Sequence, residues 1–267
     1  MRYIEHGPQR DPVAPDVLLL HGLGSNARFW DRVARHLNTR RLVALNLTPA
    51  DPDTAAMDEV MDRIASAIRD LTMDRPVVSG HSWGASLALE FAVRHAELLS
   101  GLVFVDGAIL GVARIFSREE SEAVMQPPLP RYATLAAAIA HTRADLKDAW
   151  GEDLEPFVEA GLMRDGDELV PRLTAAVRLR ILRDLYASDP AALWPRVRVP
   201  AAALIARKSD PRIARATEEG ILQLPQIAPS VRIVRFQTPH DIPLYDPEGV
   251  AREIEQVAAQ AETVKAQ

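Results

Sequence analysis

Pro76-Val77-Val78-Ser79-Gly80-His81-Ser82-Trp83-Gly84-Ala85 is the stretch on which the reading of this chain turns. Residues 76–79 form a short apolar run of strand character, and residues 85–95 carry a helical period. The pattern G-x-S-x-G lies between them, which is the context that separates a nucleophile-bearing turn from a chance match. A serine in so tight a strand-to-helix turn needs small residues two positions to either side, and Gly80 and Gly84 supply them. The turn lifts the Ser82 hydroxyl off the sheet and aims a helix N-terminus at it, where an oxyanion is favoured. Ser82 is the candidate nucleophile.

Outward from this turn, short apolar runs alternate with helix-period segments up to residue 107. Residues 17–20 and 42–47 read as strands, residues 27–38 as an amphipathic helix, and residues 102–105 as a strand ending at Asp106-Gly107. Thr54 reads as the cap of a helix that sets Met57, Val60, Met61, Ile64 and Ile68 on one stripe. Alternation at this spacing implies a mostly parallel sheet covered by helices on both faces. From residue 108 to 189 the strand pattern stops and helices are expected over 117–125, 133–150, 153–162 and 173–186. Gln126-Pro127-Pro128-Leu129-Pro130 and Arg164-Asp165-Gly166-Asp167 act as breaks between them. Strands resume over 201–205 and 231–236, and a last helix covers 247–261. The domain reading is an α/β core of residues 1–107 and 190–267, interrupted by a helical cap insertion over 108–189.

Composition narrows the chemistry. The 267 residues include 31 basic and 37 acidic side chains, for a net charge of −6, which argues against a nucleic-acid partner. No cysteine is present, so disulfides, thiolate metal sites and thiol catalysis are excluded. No secretory pattern or membrane span is read, so a cytoplasmic protein without a membrane partner is expected. A small-molecule substrate is the expected partner, and a homodimer is compatible with this reading.

A serine hydroxyl needs a base to take its proton. Of the seven histidines, His240 follows the last strand, in the loop Gln237-Thr238-Pro239-His240-Asp241-Ile242-Pro243. Loops at the carboxyl ends of parallel strands converge on the sheet edge that also carries Ser82. The base needs an acid to hold its tautomer. Asp106 and Asp210 both follow strands and both satisfy the chain order Ser, Asp, His. Asp210 is favoured, because its strand is adjacent in sequence to the one bearing His240 and Pro211 fixes a turn after it. The strand 17–20 ends in His21-Gly22-Leu23-Gly24, a turn that frees backbone amides. The N–H groups of Leu23 and Trp83 are candidates for a two-donor oxyanion hole, and His21 is expected to brace the loop. His21, His81 and His240 lack the spacing of a metal site, so no metal and no cofactor are expected.

The set His21-Gly22-Leu23-Gly24, Gly80-His81-Ser82-Trp83-Gly84, Lys208-Ser209-Asp210 and Thr238-Pro239-His240-Asp241-Ile242-Pro243 resembles the α/β-hydrolase superfamily over nearly the whole chain. The small esterase, lactonase and cofactor-free haloperoxidase-like branch is the most similar. The resemblance implies the α/β-hydrolase fold with residues 108–189 at the position of the cap. It implies Ser82 as nucleophile, His240 as base, Asp210 as orienter, and Leu23 and Trp83 as oxyanion donors. Serine at the elbow argues against haloalkane dehalogenase and epoxide hydrolase chemistry, which needs a carboxylate there. Where the family often has D-x-x-G-x-G, this chain has Asn46-Leu47-Thr48-Pro49-Ala50-Asp51-Pro52, and Ala206-Arg207-Lys208 replaces a usual glycine before Asp210. Leu110, Phe116, Met125, Trp150 and Phe157 are candidate cap-wall or core residues.

The expected activity is cleavage of a small carboxylic ester, lactone or related acyl bond by a serine hydrolase. A C–C hydrolase or perhydrolase with the same triad is the alternative within enzymes. A non-catalytic or slow-turnover small-ligand receptor on the same fold is the alternative outside them.

Overall fold

Five strands, each buried at every position and apolar except for Ser79 and His81, form the middle of one seven-stranded sheet. Continuous burial of this kind needs cover on both faces, as parallel strands have. The computed structural model describes residues 2–8, 14–49, 53 and 56–265. In chain order the first half contains β1 (Tyr3–His6), β2 (Val17–Leu20), α1 (Asp31–Ala34), β3 (Leu42–Leu45), α2 (Met57–Asp70), β4 (Val77–His81), α3 (Trp83–Arg94) and β5 (Gly101–Val105). There follow α4 (Arg118–Met125), α5 (Leu135–Leu146), α6 (Glu155–Ala160), β6 (Leu162–Asp165), β7 (Glu168–Pro171), α7 (Ala175–Ala187) and α8 (Pro190–Leu193). The chain then closes with β8 (Ala201–Ile205), α9 (Pro211–Ile227), β9 (Val231–Arg235), α10 (Ile242–Tyr245) and α11 (Pro247–Lys265).

The sheet order is β1-β3-β2-β4-β5-β8-β9, with β1 antiparallel and every other pairing parallel. The α/β-hydrolase fold class is thus the observed one, with one added strand: β1 was not expected. Four half-exposed residues at an edge leave little periodic signal. Two apolar clusters cover the faces. One joins Val60, Met61 and Ile64 of α2 to Leu87 and Phe91 of α3, and the other joins Trp30 and Val33 to Val250 and Ile254 of α11. Of the stripe expected on α2, Val60, Met61, Ile64 and Ile68 are buried and Met57 partly so, whereas its expected cap, Thr54, lies outside the described residues.

Residues 108–189 differ from the all-helical expectation. Ser117 caps α4 with a full capping box, and Thr174 caps α7. Between α6 and α7, however, β6 and β7 form an antiparallel hairpin that turns at Gly166, whose φ is +62°. Asp165 pairs with Glu168, so Gly166-Asp167 is the two-residue loop, with glycine first because it takes a positive φ cheaply. This segment also lacks a single core of its own. Val177, Ile181 and Leu185 of α7 belong to the cluster beneath the sheet, while Ala138, Val158 and Leu162 form a small separate one. Arg32 of α1 fastens the segment with a two-pronged bond to Asp153 at 2.9 and 2.7 Å.

Candidate active site

The register of the central strands places the site. His81 of β4 stands opposite Val105 of β5, so Ser82 and Asp106 leave the sheet side by side. The Ser82 amide donates to the Val105 carbonyl at 2.9 Å. Ser82 has φ +54° and ψ −115°, a conformation a side-chain-bearing residue adopts only when its surroundings impose it. Those surroundings are backbone. A Cβ on Gly80 would stand 2.1 Å from the Gly84 carbonyl oxygen, and one on Gly84 would stand 2.2 Å from that of Leu20. The two glycines of the motif are therefore required by contact.

His240 lies in the loop after β9 and returns across β8 to β5. Its Nδ1 donates to Asp106 Oδ2 at 2.5 Å. Asp106 is itself at φ +49°, and its side chain is 2 % exposed. The Ala206 amide donates to its Oδ1 at 2.9 Å, and the Lys208 ammonium donates to both carboxylate oxygens. Burial pushes the Asp106 carboxyl up, but the His240 bond and the Lys208 charge outweigh it and hold the group at about 2.

Asp210 is not brought to His240, contrary to the sequence reading. It is the N-cap of α9, where its Oδ1 accepts from the amides of Arg212 at 2.7 Å and Ile213 at 3.2 Å. Strand order explains the difference. β8 separates β5 from β9, and residues 206–209 carry the chain past the sheet edge before Asp210 starts a helix. Asp106, on the strand beside that of Ser82, is the carboxylate that faces the imidazole. Asp241 makes no bond to the ring of its neighbour His240; it stands 3.6 Å from His81 instead.

The oxyanion candidates lie on either side of Ser82. Trp83 begins α3, and a Cβ on Gly22 would stand 3.2 Å from Ser82 Cβ, so the His21–Gly24 turn abuts the serine. Among the described residues, neither the Leu23 nor the Trp83 amide donates to a backbone carbonyl. His21 braces this turn as expected. Its Nε2 accepts from the Leu47 amide at 2.9 Å, which leaves the proton on Nδ1 to donate to the Gly22 carbonyl at 2.8 Å. Complete burial pushes its pKa down to about 4, so it stays neutral.

A cavity of about 580 Å³ opens beside His240 and Asp106. Ile109, Leu110, Ile115, Phe116 and Ile213 give it apolar walls, and Lys208 lies at its polar end. Of the proposed cap-wall residues, Leu110 and Phe116 are therefore cavity-lining, while Trp150 and Phe157 pack against core clusters. The side chain of Met125 lies outside the described residues.

Residues 17–253 match the family model for the alpha/beta hydrolase family. The chain belongs to that family. Over 166 residues it is 31% identical to lipase LipV of Mycobacterium tuberculosis, covering 60% of this chain and 59% of the relative. Over 164 residues it is 27% identical to epoxide hydrolase 3 of Xenopus tropicalis, covering 55% of this chain and 44% of that one. The chain thus spans about half the length of these curated relatives. Among solved structures, E-2-(acetamidomethylene)succinate hydrolase aligns with a TM-score of 0.75 at 20% identity, over 96% of this chain and 94% of that one. At that identity the likeness speaks for the fold. No helix among the described residues of this family member is long and apolar enough to cross a membrane.

Two residues of this chain matter to the site in ways the sequence did not suggest. His81 stacks on Phe29 with ring centroids 4.6 Å apart and lies against the tilted His240 ring at 4.7 Å. Its Nε2 donates to the His240 carbonyl at 3.1 Å, which fixes the loop carrying that residue. Burial, and then the neighbouring His240, push His81 down to about 3, so it is neutral. Lys208 is the other, and its only signal was the departure from glycine before Asp210. Ligand atoms of His81, His240 and Asp241 lie within 4.8 Å of one another.

Asp106 also links folding to pH. Its ordinary value is 3.8 and its folded value about 2. A depressed carboxylate stabilises the fold above its unfolded pKa, by about 2 kcal/mol here, and loses that contribution as pH falls through the folded value. In urea unfolding, the stability difference between wild type and Asp106→Asn is expected to shrink as pH falls from about 4 to about 2. A difference constant over that window would contradict the assignment.

Proposed function

We propose that this protein is a serine hydrolase that cleaves a small carboxylic ester, lactone or related acyl bond through an acyl-enzyme. The observation that carries the reading is the bond from His240 to the buried Asp106 carboxylate at the sheet edge where the strained Ser82 turn emerges. Asp106 holds the proton on Nδ1, so the His240 Nε2 lone pair is the base. Ser82 Oγ attacks the acyl carbon as His240 takes its proton, and the Leu23 and Trp83 amides receive the oxyanion. The imidazolium then protonates the leaving alcohol. Water, deprotonated by the same ring, attacks the acyl-enzyme and releases the acid and free Ser82.

The cavity favours substrates with an apolar acyl or alcohol part, since its walls are aliphatic and aromatic. A relative named a lipase supports acyl chemistry. The likeness to an epoxide hydrolase is set against serine at the elbow, which suits attack on a carbonyl. Steady-state rates on aryl esters of graded chain length and on lactones, beside vinylogous diketones, test the proposal. Esters or lactones are expected to have the higher kcat/KM. Turnover of the diketones alone would assign C–C hydrolysis, and covalent capture without turnover would assign a receptor.

A further inference from the structure

The oxyanion turn has a cation of the cap segment against it. A Cβ on Gly24, whose φ is +77°, would stand 3.4 Å from Arg178 Nη2 and 3.8 Å from Leu173 Cδ2. Gly24 is the residue after Leu23, so the guanidinium of α7 lies over the loop assigned to carbonyl polarisation. Arg178 is half-buried, and its Nε is buried without a hydrogen-bond partner among the described residues. Its neighbours on the same helix are paired: Arg180 with Asp184 at 3.5 Å and Arg183 with Glu122 at 3.8 Å. Arg32 and Arg40, also drawn into the protein, each hold carboxylates. Arg178 has no carboxylate partner among the described residues, and burial alone pushes its pKa down. A desolvated cation without a counter-charge is costly, and the protein keeps this one beside its reaction centre.

We propose that Arg178 is a specificity-determining residue that receives a carboxylate of the substrate, so that the preferred substrates are acyl compounds bearing a second, free carboxylate. The proposal rests on the serine-hydrolase reading above and names its substrate class. The guanidinium fork matches a carboxylate in plane, with two N–H groups meeting two oxygens. A site built around such a charge rejects the neutral analogue, because the cation is then left unpaired. The reaction itself is unchanged: the carboxylate is held as an anion and no bond to it forms or breaks.

Two matched substrate pairs test this, one with the charge on the acyl side and one on the alcohol side. They are phenyl hydrogen adipate with phenyl methyl adipate, and 4-acetoxybenzoate with methyl 4-acetoxybenzoate. In at least one pair, wild type is expected to favour the carboxylate in kcat/KM by a factor of about 10–100. In Arg178→Met that ratio falls to within about threefold of unity, and Arg178→Lys, which keeps the charge but not the fork, retains part of it. A ratio near one for wild type in both pairs, or one unchanged in Arg178→Met, overturns the proposal. Binding separates its failure from that of the hydrolase reading. Adipate titrated calorimetrically into Ser82→Ala should bind, and into Ser82→Ala/Arg178→Met it should not. Binding lost with Arg178 supports the anion site even if none of the four esters turns over, and equal or absent binding in both proteins overturns it.

Discussion

Replacing Ser82 with alanine is expected to lower kcat on aryl esters by a factor on the order of 10⁴–10⁶. The fold should survive the change. The elbow conformation is imposed by the contacts of Gly80 and Gly84 with neighbouring backbone, and none of these involves the serine hydroxyl. Alanine therefore inherits the same turn, and the thermal midpoint is expected to move by no more than a few degrees. The residual rate would come from the oxyanion amides and substrate binding, which the substitution leaves in place. Full esterase activity in a well-folded Ser82→Ala protein would remove the nucleophile from the account.

The second large effect separates two aspartates. Asp106→Asn is expected to reduce kcat by up to about 10⁴, because an amide facing His240 Nδ1 no longer selects the tautomer that leaves Nε2 free. Asp210→Asn is expected to change kcat only a few-fold, since its carboxylate accepts from Arg212 and Ile213 amides at the start of α9. Asparagine is itself a good cap, so even the loss of stability there should stay below about 1 kcal/mol. The reverse pattern, a large loss at Asp210 and a small one at Asp106, would return the orienting role to Asp210.

The fold was legible because its signals are local. The β4 run, Gly80, Gly84 and the α3 period lie within one window, and steric necessity ties them to one turn. His240 was legible by a topological rule, since loops after parallel strands share an edge. The acid was not, because choosing it required the spatial order of β5, β8 and β9 and not their order along the chain. One local clue pointed the right way: Asp210-Pro211 is an N-cap followed by proline at the first helical position, the opening of a helix. Read so, its carboxylate is already committed to α9. The Gly166-Asp167 hairpin turn was open to the same kind of reading. Lys208 had only the departure from glycine before Asp210 and Arg178 had no signal, because each acquires its meaning from a partner brought to it by the fold, Asp106 in one case and the Gly24 turn in the other.

The claim that Ser82 is activated by His240 is tested most directly by labelling the folded protein with a fluorophosphonate and mapping the adduct by mass spectrometry. One adduct is expected, on the peptide containing Ser82, formed quickly in wild type and slowed by orders of magnitude in His240→Gln and Asp106→Asn. An unlabelled Ser82, or labelling that proceeds at the wild-type rate without His240, would contradict it.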